Sequence, residues 1–186
     1  LYLNKEVAKV VRMNKGIEIR FSDGTTDNFE EVVLATHADT SLHLNVDADP
    51  LEVELLSAFP YHENIVSLHT DTSLLPKFKR TWASWNYRLK DYSSGQACVT
   101  YNMNKLQNLK TQKTYCVSLN QHTEISPQFL IKEEVVRHPT FMPNREYIQS
   151  HHKDMIRRRG ISYCGAYWGF GFHEDGIRSA MDVSKA

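Results

Sequence analysis

The sequence lacks a long apolar run and an excess of either charge. In its 186 residues no apolar stretch approaches the roughly 18–20 residues that a membrane-spanning helix needs, so we expect no membrane span. Lys plus Arg and Asp plus Glu both number 22, which gives a formal net charge of zero. Nucleic-acid-binding domains usually carry a clustered basic surface. We therefore expect no nucleic-acid partner.

Cysteine is scarce, and the histidines are scattered. Cys98, Cys116 and Cys164 are odd in number and widely spaced in strand-like segments. This pattern favours small buried side chains in a reducing cytoplasm over a disulfide framework. The nine histidines show no metal-ligand spacing, so we expect no metal site. The first residues lack the pattern of a secretory signal and begin with Leu inside a strand-like run. We expect a cytoplasmic protein that is part of a longer chain.

The patterns that are present predict an α+β fold with a mainly antiparallel mixed sheet and flanking helices. Alternating apolar residues on both sides of Asn14-Lys15-Gly16 predict a hairpin. Residues 32–35 form a short apolar run typical of a buried strand, and Asp49-Pro50 predicts the start of a helix. Four segments with period-two patterns predict an antiparallel meander: residues 64–71, 80–89, 96–104 and 114–120.

The last third of the sequence predicts two more strands and two helices. Residues 130–136 form a strand, and residues 144–160 read as one amphipathic helix stopped by Gly160. A short strand beginning at residue 161 and a helix over residues 173–186 complete the pattern.

The stretch YCGAYWGFGFHEDGIRSA, residues 163–180, combines glycines, aromatic residues and the start of a helix. Glycines let a ligand approach the backbone closely, and the first turn of a helix offers unpaired N–H groups to an oxyanion or a polarised carbonyl. A glycine-rich connection between a strand and a helix explains the same pattern without a ligand. Glu174 and Asp175 suit the positive end of a helix dipole in either case.

The amino-acid sequence of this stretch resembles a known motif. GFHEDGIRSAM is similar to the C-terminal flavin-contacting motif of the flavin-containing amine oxidase family. Further segments resemble, in order along the whole chain, a bacterial branch described as predicted NAD/FAD-dependent oxidoreductases: VVLATHADTSLHL, LHTDTSLLP, TWASWNY, VTYNMNKLQNL and VSLNQ. The resemblance implies an FAD-dependent oxidoreductase of the amine-oxidase-like fold.

The resemblance also implies site residues. Those matching FAD-contacting positions are Ala35, Thr36, His37, Gly165, Ala166, Glu174, Asp175 and Gly176. Phe172 matches an aromatic residue that walls the substrate against the flavin, and Trp168 is expected beside it. His173 is either a proton relay near the flavin, since histidine titrates in a useful range, or a histidine bonded to the backbone at the turn. We name Phe172, Trp168 and His173 as the catalytic candidates.

By the same resemblance, residues 1–45 belong to the FAD-binding domain, residues 46–145 to the substrate-binding domain, and residues 146–186 return to the FAD-binding domain. The G-x-G-x-x-G fingerprint that binds the FAD pyrophosphate is absent. Amine oxidases commonly carry a lysine on a substrate-domain strand, but residues 64–70 contain none, so oxidation of amines specifically is not implied.

Two functions follow. The first is part of an FAD-dependent oxidoreductase that oxidises a small or lipid-like substrate by hydride transfer to the flavin. The second is a non-catalytic fragment that binds no FAD and acts as a structural or interaction module. A longer parent protein would be the enzyme, and this chain alone is expected to be inactive. Apolar surface left exposed in a fragment favours self-association, so a homo-oligomer is expected.

Overall fold

A computed structural model describes residues 1–88 and 98–186. These residues divide into two compact units, Leu1–Tyr61 with Pro139–Ala186, and His62–His138. The fold is α+β with mainly antiparallel sheets, which confirms the fold class predicted from the sequence. None of the described helices is both long and apolar enough to cross a membrane. The five described helices are α1 (Ala38–Leu44), α2 (Pro50–Ser57), α3 (Met103–Leu106), α4 (Arg145–Ser150) and α5 (His173–Lys185).

The first unit contains two small sheets. Strands β1 (Val7–Arg12), β2 (Ile17–Phe21) and β3 (Thr26–Phe29) form an antiparallel sheet in that order. The predicted turn between the first two strands ends at Gly16, which has φ +78°; a Cβ there would lie 2.3 Å from the Phe29 carbonyl oxygen. The structure therefore requires glycine at this turn.

The second sheet of this unit pairs β4 (Val32–Leu34) in parallel with β10 (Ile161–Tyr163). Val32 lies beside Ile161, and Leu34 lies beside Tyr163. Both strands are short and rich in buried apolar residues, as parallel strands usually are. Because they run in the same direction, their carboxyl ends meet at one edge.

Helices cover these sheets and close the core. Asp49 caps α2 by accepting hydrogen bonds from the N–H groups of Leu51 and Glu52, and Pro50 occupies the first helical position as the sequence predicts. The core of the unit joins the hairpin, the parallel strands and the helices: Val10, Ile17, Val32, Leu34, Ala38, Leu44, Leu55, Leu56, Phe59, Ile148, Met155, Ile161, Tyr163, Tyr167 and Trp168.

A buried ion-pair cluster, which we call the Glu52 cluster, ties β1, α2 and β10 together. Glu52 is fully buried, and one of its oxygens accepts from Arg12 at 2.5 Å and from the Tyr163 hydroxyl at 2.9 Å. The Tyr163 hydroxyl accepts from Asn45 at 2.7 Å. Burial raises the pKa of Tyr163, so it remains a hydrogen-bond donor. The cluster fixes the end of β10.

The helix predicted over residues 144–160 is wrong in its length. Helix α4 ends at Ser150 and is followed by a 3-10 turn over His152–Met155. Arg157 and Arg159 then adopt positive φ values of 52° and 48° before Gly160. The Arg158 guanidinium forms two hydrogen bonds with Asp49, and Met155 is fully buried. These tertiary contacts outweigh the helical periodicity of the sequence.

The second unit is built on one five-stranded sheet. Its strands lie in the order β6 (Trp85–Arg88), β7 (Cys98–Asn102), β8 (Cys116–Leu119), β5 (Tyr61–His69) and β9 (Leu130–Pro139). The predicted antiparallel meander is confirmed for β6, β7 and β8, whereas β5 pairs with β8 and not with β6. Leu89 and residues 96–97, which the sequence also assigned to strands, lie outside the described residues. Polar side chains lie buried between neighbouring strands, where the hydroxyl oxygens of Thr100 and Ser118 are 2.8 Å apart.

Candidate functional site

The carboxyl ends of β4 and β10 bring two predicted segments to the same edge. The Cys164 N–H donates to the Leu34 carbonyl at 3.0 Å, which continues the pairing by one residue. Residues 35–37 follow the end of β4, and residues 165–166 follow Cys164 after the end of β10. Ala35, Thr36 and His37 are exposed, and Gly165 and Ala166 are partly exposed. Ligands of open α/β sheets bind at such strand ends.

Tyr61 holds the first of these segments in place. Its hydroxyl accepts a hydrogen bond from the Ala38 N–H at 3.0 Å, and its ring stacks on His37 with a centroid distance of 4.5 Å. The Thr36 hydroxyl lies 2.8 Å from that of Ser41. Sequence reasoning missed Tyr61, since a tyrosine at the start of a strand gives no local sign of a contact with a segment far earlier in the chain.

Gly165 is required by the packing of its own neighbours. A Cβ at this position would lie 2.4 Å from the Tyr167 ring. The Gly165 N–H donates to the Ser179 hydroxyl oxygen at 2.9 Å, which joins the end of β10 to the middle of α5. Tyr167 is buried, and burial raises its pKa, so it stays protonated. Packing against Tyr167 therefore explains the glycine at position 165 whether or not a ligand binds there.

Asp175 organises the loop before α5. Its Oδ2 accepts hydrogen bonds from the N–H groups of Phe170 and Phe172, both at 3.0 Å. A Cβ on Gly169 would lie 2.5 Å from the Asp175 carboxyl group, so glycine leaves the room that this carboxylate needs. Asp175 therefore holds the loop itself, and its carboxylate oxygen is engaged by the backbone.

Phe172 and Trp168, which the resemblance places together, have different surroundings. Phe172 is 71% exposed, whereas Trp168 is 9% exposed. The Trp168 ring packs edge-on against Phe59 at 5.6 Å and stacks on His152 at 4.7 Å. His152 lies against the Tyr163 carbonyl oxygen at 2.9 Å, and burial lowers its pKa. Trp168 supports the loop from inside, and Phe172 projects from it.

The start of α5 is open to solvent. His173 and Glu174 are exposed and lie in the first turn, where a helix supplies no acceptor for its own N–H groups. Gly176 contacts Ala166 at an ordinary distance, since a Cβ there would lie 3.7 Å from the Ala166 nitrogen. Space inside the fold does not require glycine at this position. Within the described ranges, no group of three or more His, Cys, Asp or Glu side chains is placed so that it could hold a metal ion.

Comparison with known proteins identifies the fold. No protein-family model and no curated protein sequence matches the chain. Among solved structures, a CLA-producing fatty acid isomerase from P. acnes is similar with a TM-score of 0.65 and 16% identity over 98% of this chain and 47% of its own. Reduced UDP-galactopyranose mutase has a TM-score of 0.61 and 12% identity over 96% of this chain and 46% of its own.

Two solved amine oxidases are similar over comparable lengths. A putrescine oxidase triple mutant has a TM-score of 0.60 and 8% identity over 100% of this chain and 49% of its own. Cyclohexylamine oxidase from Brevibacterium oxydans has a TM-score of 0.59 and 11% identity over 96% of this chain and 48% of its own. The chain thus spans about half the length of the structures it resembles. Its fold is that of flavin amine-oxidase-like domains.

Proposed function

We propose that this chain forms part of an FAD-dependent oxidoreductase that oxidises a small or lipid-like substrate. The observation that carries the proposal is the meeting of residues 35–37 and 165–166 at the carboxyl ends of two parallel strands, next to the start of α5. The amine-oxidase-like fold supports it, and one of the similar structures is a putrescine oxidase redesigned in its cofactor binding.

The residues at this edge fit one part of a flavin nucleotide. Ala35, Gly165, Ala166 and Gly176 have small side chains or none, so a flat ligand can approach their backbone. The N–H groups of His173 and Glu174 in the first turn of α5 suit a ligand carbonyl or oxyanion, whereas the Asp175 N–H donates to the Phe172 carbonyl at 3.0 Å. The glycine-rich phosphate loop that holds the rest of the nucleotide is not in this sequence. We infer that a further segment would supply it.

Each candidate residue has a proposed role at this edge. A bound flavin would accept the hydride from the substrate. Phe172 would wall the substrate and exclude water, because its ring is exposed and its backbone is fixed by Asp175. Trp168 would keep that loop rigid from the core side. His173 would hold or pass a proton at the substrate-facing surface.

A second candidate function is a structural or interaction module without FAD. Apolar side chains exposed on β4 and α5 favour it: Val33, Ile177 and Met181 are 52%, 59% and 48% exposed. Surfaces of this kind mark contact with another protein segment. Under this alternative the purified chain self-associates in size-exclusion chromatography with light scattering and binds no flavin.

Flavin titration distinguishes the two candidates. The purified chain is titrated into FAD and, separately, into riboflavin, which lacks the phosphates, and the flavin fluorescence is measured. If the chain contacts the ring portion, both flavins are quenched with similar affinity. Gly176→Ala adds a Cβ at the flavin edge without a clash in the fold and should weaken quenching, whereas Ser184→Ala at the far end of α5 should not. Absence of quenching with both flavins would favour the second candidate.

A further inference from the structure

The guanidinium of Arg145 lies close to two phenyl rings beside the loop that carries Phe172. Its guanidinium carbon is 4.7 Å from the centroid of the Phe170 ring and 5.2 Å from that of Phe141. Phe141 also approaches Gly171, since a Cβ there would lie 3.6 Å from its ring. Stacking of this kind uses the flat faces of a guanidinium and leaves its N–H edges available.

The charge of Arg145 is not neutralised by the fold. Within residues 1–88 and 98–186 no carboxylate forms an ion pair with it; its neighbours are the two aromatic rings. Arg145 is partly buried, so part of its hydration is lost. The guanidinium fork matches a carboxylate in two parallel hydrogen bonds. The most favourable partner is therefore an oxyanion supplied by a ligand.

The surroundings of Arg145 select the rest of that ligand. Phe170 and Phe172 are 64% and 71% exposed, and Met142 is 45% exposed. The Asp175 carboxylate fixes the backbone N–H groups of both phenylalanines, and the Phe170 ring lies against the cation. A molecule with a carboxylate at one end and an apolar chain next to it fits both features.

We propose that Arg145 binds the carboxylate of the substrate, and that the substrate is an apolar carboxylic acid. This assignment rests on the proposed function, because it places the carboxylate next to the substrate wall formed by Phe172. Phe141 and Phe170 act as positioning residues that hold the guanidinium. Neither the flavin edge of β4 and β10 nor the Glu52 cluster takes part.

Binding of decanoate to the purified chain, measured by isothermal titration calorimetry without flavin, tests the assignment. Decanol has the same chain length without the charge and should bind much more weakly. Arg145→Gln should weaken decanoate binding by about ten-fold or more, the loss expected for one charge-assisted contact. Arg145→Lys keeps the charge but loses the planar fork and should also weaken it. Arg80→Gln removes an exposed arginine whose guanidinium lies near the Phe78 ring, and it should leave binding unchanged.

Three results would overturn the assignment. The first is equal affinity of the wild-type chain for decanoate and decanol, a comparison that needs no variant and therefore no folding control. The second is wild-type affinity for decanoate in Arg145→Gln that is shown by circular dichroism to be folded. The third is displacement of decanoate by inorganic phosphate or FAD at equal concentration, since the oxyanion would then be a phosphate. Failure of flavin binding alone leaves the decanoate result intact, so the two proposals fail separately.

Discussion

The Tyr163 hydroxyl donates a hydrogen bond to the Glu52 carboxylate at 2.9 Å, in a position where both side chains are fully buried. The two residues are 111 positions apart, and the bond joins the end of β10 to the first turn of α2. Since β10 leads directly into Gly165 and Ala166, this contact positions one half of the proposed flavin edge. A buried polar group of this kind is costly when one partner is removed.

We expect substitutions in the Glu52 cluster to destabilise the fold strongly. Glu52→Gln removes one of the two carboxylates that pair with the buried Arg12 guanidinium, Asp47 being the other, and should lower the free energy of unfolding by about 1–3 kcal/mol. Tyr163→Phe should lower it by about 1–3 kcal/mol. Urea unfolding followed by circular dichroism measures both, and Tyr147→Phe, an exposed tyrosine, is the control. Additive effects in the double variant would argue against a shared network.

We expect glycine-to-alanine substitutions at residues 169 and 176 to have different effects on stability. At Gly169 the new methyl group collides with the Asp175 carboxyl group at 2.5 Å, which should cost about 1–3 kcal/mol. At Gly176 the nearest atom is 3.7 Å away inside a helix, so alanine should be neutral or stabilise by up to about 1 kcal/mol. Equal effects in urea unfolding would contradict this packing account.

The sequence predicts the elements that depend on local contacts and misses those that depend on distant ones. The cap at Asp49, the glycine turn at Gly16 and the final helix depend on neighbours in sequence, and they were predicted. Helix α1 and strand β3 were not predicted, because both are short and their sequences are polar. The early end of α4 was also missed, since the segment after it makes contacts with residues distant in sequence, such as the pairing of Arg158 with Asp49.

In the candidate site, too, the features that follow a local sequence motif were predicted and those that depend on distant contacts were missed. The resemblance led to Phe172 and the start of α5, which follow one motif in the sequence. The opposite exposure of Phe172 and Trp168 and the Tyr61 contact with Ala38 arise from tertiary packing. A single sequence carries no record of such contacts. Arg145 was not selected for the same reason, since its two phenyl neighbours come from different segments.

Protonation of Asp49 in acid should lower the stability of the fold. Burial works to raise the pKa of Asp49, but the Arg158 hydrogen bond and the N–H groups of Glu52 and Leu51 outweigh it and hold the pKa below its usual value. Because the folded pKa is depressed, the stabilisation is complete above the unfolded value, about 3.9. It is lost as the pH falls from there through the folded pKa.

The variant Asp49→Asn isolates this contribution. Asparagine still caps α2 but carries no charge for Arg158, so stability near neutral pH should fall and part of its decline in acid should disappear. Urea unfolding at a series of pH values between about 2 and 7 measures the effect. Glu54→Gln, an exposed residue on the same helix, is the control. An unchanged pH profile in Asp49→Asn would exclude Asp49 as a source of the acid sensitivity.

Glu174→Arg should weaken flavin binding with only the small loss of stability, about 1 kcal/mol, that a reversed charge at the positive end of a helix causes. Glu174 is exposed in the first turn of α5, so the longer side chain has room in the fold but occupies the surface proposed for the flavin. The matched control is Glu146→Arg, which makes the same charge change in the first turn of α4. Flavin fluorescence titration and urea unfolding are compared for both. Equal flavin affinity in the two variants would remove the start of α5 from the proposed site.

The three cysteines should be unreactive in the folded protein. Cys98, Cys116 and Cys164 are 5%, 0% and 5% exposed, and no disulfide joins them. Burial raises the pKa of Cys116 to about 11 and also raises that of Cys164, so little thiolate forms at these two positions near neutral pH in the folded state. Ellman's reagent should therefore label none of the three rapidly in native buffer and all of them in guanidinium chloride. Fast labelling of one thiol in native buffer, assigned with single Cys→Ser variants, would show that its strand opens locally.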